Sequence, residues 1–315
     1  MAESSRAFRA MDSDCVVRVV VDDDRAEPIL DRVETRMHDL EQRWSRFIDS
    51  SELSQLNRHA GDPVFVSPEM FAVVALAIDA WKATDGFFDP TLLDILREIG
   101  YDDTFFGLAD RAPFQVNQLT VPTGGLDSVV LDVRSSLIHA PLGMHFDLGG
   151  IGKGYAADLL FTQVMEDGVS GACLDFGGDI RVGGETVEGG SWVIVIDDPF
   201  EPGVDLAVLG LETGSVTTSS RLRRKWSTTT GEVHHLIDPK TARSSQSGLA
   251  SVTVIAAQAA WGEAHAKAAL IAGATGGRAL LERSGLSGLL IADDGQLVTA
   301  GQFNDFVVDG PTVGS

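Results

Sequence analysis

From residue 129 to residue 300 the chain breaks into short apolar runs with turn residues between them, and its helical stretches stand apart from those runs. Residues 128–133 and 136–140 read as a hairpin. Residues 172–176, 192–196, 206–211, 233–237 and 250–255 read as strands. Residues 288–292 and 296–300 read as a second hairpin around Asp293-Asp294-Gly295. A doubly wound fold would interleave one helix with each strand. This pattern instead predicts an α+β fold with mixed or antiparallel sheets and packed helices.

Residues 15–21, CVVRVVV, form a further strand. The helical stretches follow from periodicity. Ile29, Leu30, Val33, Met37, Leu40, Trp44 and Phe47 keep steps of three and four and share one face. Residues 45–57 then turn polar. A second helix starts at Ser67-Pro68-Glu69, where Ser can cap and Pro suits the first turn, and ends at Asp85-Gly86. Residues 152–165 and 258–271 are helical, with a short helix near 279–283. Residues 107–125 read as a loop or weak boundary. We expect a single unit over residues 1–315, with a helical lobe at about 10–106 and a sheet-rich lobe at about 126–308 as the alternative division.

The net charge is −22 and 44% of residues are hydrophobic, so a large core forms and global disorder is excluded. Such acidity argues against nucleic acid and against adhesion to anionic membranes. The two cysteines, Cys15 and Cys173, sit in apolar runs and read as buried thiols rather than a disulfide framework. Residues 1–14 contain no apolar h-region and no window reaches 18 apolar residues, from which we expect a cytoplasmic protein without membrane insertion.

The glycine-rich segment Asp147-Leu148-Gly149-Gly150-Ile151-Gly152-Lys153-Gly154 feeds the helix at 152–165. Free backbone N–H groups at a helix start can hold an anion, glycines permit close approach, and Lys153 adds a cation. Gly152-Lys153-Gly154-Tyr155-Ala156-Ala157 also fits G-x-G-x-x-A, a weak dinucleotide fingerprint, but Asp147 falls where a buried parallel strand needs an apolar residue. A P-loop is excluded because Gly154 follows Gly152-Lys153 in place of Ser or Thr. A tight turn with a helix cap is an equally good reading of this segment alone.

Residues 147–158 resemble the signature D-L-[GS]-[GT]-I-[AG]-K-G-[YF]-A-x-D of the ApbE-type FAD:protein FMN transferases. Further blocks of that family recur in order. They are Met11-Asp12-Ser13, Ser45-Arg46-Phe47, Ser51-Glu52-Leu53-Ser54-Gln55-Leu56-Asn57 and Gly86-Phe87-Phe88-Asp89-Pro90-Thr91. Asp175-Phe176-Gly177-Gly178-Asp179-Ile180, Thr218-Ser219 and His235-Leu236-Ile237-Asp238-Pro239-Lys240-Thr241 follow. The resemblance covers about residues 10–308 and implies an ApbE-like, T-fold-like architecture.

It also implies roles. Met11 and Phe47 would flank a flavin ring, as polarizable and flat partners do. Phe87, Phe88 and Asp89 would line the flavin or adenine. Asp147 would hydrogen-bond the cofactor and Lys153 would neutralise phosphate. His235 would be the base or orienter for an acceptor hydroxyl, with Asp238 orienting ligand or acceptor, or merely opening the Asp-Pro turn. Neighbouring His234 would point the opposite way on a strand. Arg221, Arg223, Arg224 and Lys225 read as a solvated hairpin, with an anionic-ligand rim as the alternative.

The pattern departs from the family at its metal site. There the late helix carries A-D-A-x-x-T, whose Asp and Thr help hold Mg²⁺ with a glycine carbonyl, here that of Gly150. This chain has Gly262-Glu263-Ala264-His265-Ala266-Lys267. Glu263 could still bind a hard cation, whereas a protonated Lys267 could not, and could instead supply part of the metal's charge. The ordinary reading is an i,i+4 ion pair of Glu263 with Lys267. The resemblance therefore implies FAD as substrate, Mg²⁺ in doubt, and transfer of FMN to a Thr or Ser of an acceptor protein with release of AMP. The alternatives are an FAD pyrophosphatase giving FMN and AMP, and a flavin-binding protein without activity.

Overall fold

The computed structural model describes residues 2–102, 125–229 and 231–310. The segment expected as a loop at 107–125 lies outside them except for Gly125. The architecture is α+β. An eight-stranded sheet runs in the order β1 (Ala2–Ala10), β2 (Ser13–Val21), β6 (Gly171–Phe176), β7 (Asp179–Gly184), β10 (Gly214–Ser220), β15 (Leu249–Ala256), β16 (Ser287–Ala292), β17 (Leu297–Ala300). Every neighbouring pair in it is antiparallel.

Both faces of this sheet are covered. Cys15, Val17 and Val19 of β2 join the core shared with the helices, while Val20 turns to a second core. Among the described residues the helices are α1 (Asp23–Trp44), α2 (Glu52–Arg58), α3 (Pro68–Ala83), α4 (Leu93–Glu98), α5 (Gly152–Glu166) and α6 (Ala259–Arg283). The predicted face of α1 is its core face: Ile29, Leu30, Val33, Met37, Leu40 and Trp44 are buried. Phe47 lies beyond its end. The second core is closed by a three-stranded sheet, β18 (Val307–Asp309), β9 (Asp205–Leu211), β8 (Trp192–Asp197), through Trp192, Ile194, Leu209 and Leu211. Between these layers every residue of β15 is buried, which its apolar run LASVTVIA permits.

The hairpin of β4 (Val130–Asp132) and β5 (Leu137–His139) pairs further with β3 (Pro63–Phe65). The strand expected at 233–237 is split into β12 (Gly231–His234), paired with β11 (Lys225–Thr228), and β13 (Ile237–Asp238), paired with β14 (Arg243–Ser244). These small hairpins pack Trp226, Ile237 and Ala242 on Leu92, Ile95 and Ile99, around α4. Ser67 caps α3 through its Oγ, which accepts from the Met70 N–H at 3.2 Å. The two late helical pieces are both present within α6 and are separated at Gly273, whose φ of 77° and ψ of 175° are not helical. Among the described residues no helix is long and apolar enough to cross a membrane. Cys15 and Cys173 are unpaired.

Candidate active site

The turn between β1 and β2 is made by Met11 (φ 50°) and Asp12 (φ 56°), both left-handed without glycine. This is the backbone a two-residue hairpin needs. The cost of two side chains at positive φ is met in part by Glu41, whose Oε1 accepts from the Met11 N–H at 2.7 Å. The turn thereby brings Met11 to the mouth of a cavity of about 690 Å³. That size is in the range of small-molecule and cofactor sites, roughly 300–1,000 Å³.

The apolar wall of the cavity includes Met11, Trp44, Phe47 and Tyr101. Arg46 packs against two of these rings, its guanidinium carbon 4.4 Å from the centroids of both Phe47 and Tyr101. Its Nη1 donates to the Tyr101 carbonyl at 2.8 Å and its Nε lies 3.6 Å from Asp147. Arg46 Nη2 and Trp44 Nε1 are buried donors without a partner among the described residues. Buried donors as a rule have an acceptor, and a ligand in the cavity would supply one.

The glycine-rich turn is positioned by Asn57, whose side chain bonds both the N–H and the carbonyl of Phe146. The Asp147 N–H donates to the Pro90 carbonyl at 2.7 Å, and Asp147 Oδ1 accepts from Gly149 N–H at 3.1 Å. None of Gly149, Gly150, Gly152 and Gly154 has a left-handed backbone. Their service is close approach. A Cβ on Gly154 would meet the Ala259 carbonyl oxygen at 2.5 Å, so α5 and α6 touch there backbone to backbone. Asp158, the last residue of the signature, caps α6 by accepting from the N–H groups of Ala259 and Ala260 at 2.9 and 3.0 Å.

The backbone amides are mostly committed. Gly152 N–H donates to Leu148 O at 2.8 Å, Gly154 N–H to Glu263 Oε2 at 2.8 Å, and Tyr155 N–H to Ile151 O at 2.9 Å. The expected amide cradle is therefore largely spent inside the protein, and an anion in this cavity would meet side chains.

Lys153 is committed too. Its Nζ pairs with Asp179 and with Glu263 Oε1, the latter at 3.0 Å. Burial pulls its pKa down, but Asp179 and then Glu263 outweigh that and hold it above the ordinary lysine value. Burial, then Glu263, pushes Asp179 up to about 7, because one ammonium serves two carboxylates. The expected Glu263–Lys267 ion pair is replaced by this cluster, since both Glu263 oxygens are taken by Lys153 and Gly154.

Lys267 is left facing the cavity. It stands over Gly150, where a Cβ would come within 2.7 Å of Lys267 Cε and closer still to Nζ. Burial lowers its pKa; Asp147 and Glu263 oppose this, and Lys153 and Arg224 add to it. Arg224, from the basic run, also lines the cavity, its guanidinium 3.3 Å from the Tyr101 hydroxyl and from the Asp12 carbonyl. Its neighbours pair elsewhere: Arg221 with Asp293, Arg223 with Asp197, and Lys225 with Glu232.

His235 lines the same cavity, with Nδ1 3.3 Å from the Arg224 carbonyl and its ring edge-on to Tyr101. Burial, then the charges of Lys267 and Arg224, hold its pKa well below the ordinary histidine value. His234 turns the other way, its Nε2 3.0 Å from the Ser245 carbonyl and its Nδ1 accepting from Leu236 N–H.

The remaining expected site residues are not among the cavity's lining. Phe88 is fully buried in the main core. Phe87 lies under the Lys240 ammonium, 4.1 Å from the ring centroid. Asp89 accepts from Thr91 N–H at 2.8 Å and Oγ1 at 2.6 Å, and is an Asx-type turn former. Asp238 does the same for Lys240 N–H at 2.9 Å. Gly150 and Glu263 lie just behind the wall, in contact with Lys267 and Lys153 respectively. Residues not anticipated as cavity wall include Trp44, Arg46 and Tyr101.

Met11, Phe47, Asp147, Lys153 and His235 thus converge from separate elements on one cavity, and the model of the ApbE family matches residues 11–290, across all of them. The chain belongs to the ApbE family. Relatives include the FAD:protein FMN transferase of Haemophilus influenzae, 28% identical over 73% of this chain and 68% of that protein. The same-named protein of Treponema pallidum is 29% identical over 93% of this chain and 85% of its own length. That of Escherichia coli is 25% identical over 91% and 84%. Among solved structures, the ApbE protein of Thermotoga maritima superposes with a TM-score of 0.87 at 22% identity, over 98% of this chain and all of that one. The flavin transferase ApbE of Vibrio cholerae gives 0.83 at 21%, over 97% of this chain and 99% of its own. At these identities the structures speak to the fold, and the fold is that of the ApbE proteins.

Proposed function

We propose that this chain transfers the FMN moiety of FAD to a Thr or Ser hydroxyl of an acceptor protein. The observation that carries the proposal is the make-up of the cavity. A chain of net charge −22 gathers Arg46, Arg224 and Lys267 beside an apolar wall of Met11, Phe47 and Tyr101, with a neutral imidazole between. A flat heteroaromatic ring joined to a pyrophosphate has that division of chemistry. The unpartnered donors of Arg46 and Trp44 would find their acceptors on such a ligand.

In the reaction, the acceptor oxygen bonds to the FMN phosphorus as the pyrophosphate P–O bond to the AMP side breaks. AMP leaves with that electron pair and the hydroxyl proton passes to His235. The imidazole can accept it because burial, then the charges of Lys267 and Arg224, keep the ring neutral. Cationic side chains stabilise the charge that develops on the phosphoryl oxygens. Lys153 acts at one remove, holding Glu263 and Asp179 behind the turn. Asp238 has no part in this scheme.

Mg²⁺ held by Gly150 and Glu263 does not fit the residues present. Both Glu263 oxygens are occupied, an ammonium stands over Gly150, and among the described residues no group of three His, Cys, Asp or Glu side chains is disposed to hold a metal.

We take residues 1–315 as one unit, supported by a single sheet that contains both β1 and β17, and place it in the cytoplasm, where unpaired cysteines stay reduced. One assay tests the activity. Incubation with FAD and a candidate acceptor should give AMP and a fluorescent acceptor band in a denaturing gel. AMP without the band would mean a pyrophosphatase, and bound flavin with neither product a binding protein.

A further inference from the structure

We infer that the Lys267 ammonium is the resident cation of the pyrophosphate subsite, so that this chain binds FAD and transfers FMN without a divalent metal. The inference rests on the flavin reading and deepens it. A pyrophosphate brings negative charge that must be met locally, and a lysine meets it as a point charge.

Three features single out Lys267 among the lysines here. It lines the cavity, and among the described residues its Nζ has neither a hydrogen bond nor a carboxylate within 4.0 Å. Lys153, the other lysine on the cavity wall, has two carboxylates already. Lys267 also fills the space above Gly150, the glycine whose carbonyl was expected to help hold a metal. Finally, the carboxylate one turn before it has been withdrawn. Glu263 is turned onto Lys153 and the Gly154 N–H, and it is buried there. The exchange is coherent in charge. A carboxylate leaves the site, an ammonium enters it, and Arg46 and Arg224 stand alongside.

The arrangement also explains why Lys267 can be left unpaired. Burial lowers its pKa, and Asp147 and Glu263 oppose that by favouring the charged form without contacting it. An arriving pyrophosphate would favour that form further. The ammonium is carried by α6, whose first turn is locked to α5 by Asp158 and by the backbone contact at Gly154. It is therefore delivered by the rigid part of the fold.

The test uses the whole chain, treated with EDTA and dialysed. FAD binding is followed by quenching of flavin fluorescence, and Mg²⁺ binding by calorimetry in the absence of FAD. The wild type should bind FAD with an affinity that changes less than about twofold when Mg²⁺ is added. It should give no Mg²⁺ isotherm at millimolar concentration. Lys267→Met should bind FAD at least about tenfold more weakly in EDTA while keeping its thermal transition, and Lys267→Arg should restore part of the loss. FAD binding by the wild type that requires Mg²⁺ would overturn the lysine assignment alone, with no variant needed. A chain that binds no FAD under either condition would overturn the flavin reading and the lysine assignment together. AMP release that is abolished by EDTA and identical in Lys267→Met would likewise exclude the ammonium from the transfer step.

Discussion

Asn57 holds the backbone of Phe146 by two hydrogen bonds, Nδ2 donating to the Phe146 carbonyl at 2.8 Å and Oδ1 accepting from the Phe146 N–H at 2.7 Å. Phe146 immediately precedes Asp147, so a side chain on α2 sets where the glycine-rich turn begins. Removing the amide leaves two buried backbone groups unpaired, each at about 1–3 kcal/mol. Asn57→Ala should cost about 2–4 kcal/mol in urea unfolding and weaken FAD binding as well. A loss under about 1 kcal/mol would show that the turn does not depend on this clamp.

Lys153 separates Asp179 from Glu263 in a buried cluster. Lys153→Met leaves those carboxylates facing one another and should cost about 3–5 kcal/mol at neutral pH. The pH dependence has a definite sign. The Asp179 pKa in the fold, about 7, lies above its ordinary value, so its contribution is most favourable when protonated and is lost as pH rises through about 7. Without Lys153 the carboxyl is raised further. The variant should then recover part of its stability between pH 7.5 and pH 5.5 relative to wild type, as read by paired thermal melts at about these values. A deficit that does not change over that range would contradict the cluster.

His235 is the proton acceptor of the proposed reaction. His235→Asn should reduce AMP release by about 10²–10⁴-fold with FAD affinity little changed. Because its pKa is depressed in the fold, the imidazole stays neutral below about 6.5, where an unfolded histidine charges. The acid limb of kcat/KM should accordingly fall below about pH 6.5. Stability contributed by this group is present above about 6.5 and lost as pH drops through the lower folded value. His234 and His265 are lowered by burial as well and share that loss. His235→Asn should remove only part of the slope of stability against pH. An acid limb centred above pH 7 would rule His235 out as the base.

Gly150 and Lys267 cannot both keep their places if a side chain is added at 150. In Gly150→Ala the new Cβ would strike the end of Lys267, a flexible group that can move aside. The fold should survive and FAD affinity should fall by about tenfold, the equivalent of about 1.4 kcal/mol. In a Lys267→Ala background the same change should cost little more. Full additivity of the two losses would show that they act separately.

The periodic and contiguous features of this chain were readable without a structure. The core face of α1, the capped start of α3 and the hairpin of β16 and β17 are written in short-range spacing. So was the glycine-rich turn, because its residues are consecutive. Other strands escaped notice because their residues do not announce a strand. β1, AESSRAFRA, shows one face to solvent and is made mostly of small and charged residues. β10, GSVTTSS, is rich in hydroxyls, which pair across the sheet as Thr218 does with Thr253 at 2.9 Å.

The site divides in the same way. Met11, Phe47, Asp147, Lys153 and His235 could be named from blocks of adjacent residues. The work each does could not, because it depends on partners far along the chain. Lys153 reads locally as a phosphate cation, yet α6 presents Glu263 to it at 3.0 Å, and β7 brings Asp179. Arg46 and Arg224 reach one cavity from a loop after α1 and a turn before β11. Charge is strongly coupled only over a few ångströms. A sequence can therefore supply the cations and carboxylates, but which cation is neutralised and which is left for a ligand is settled when α5 and α6 close on each other at Gly154.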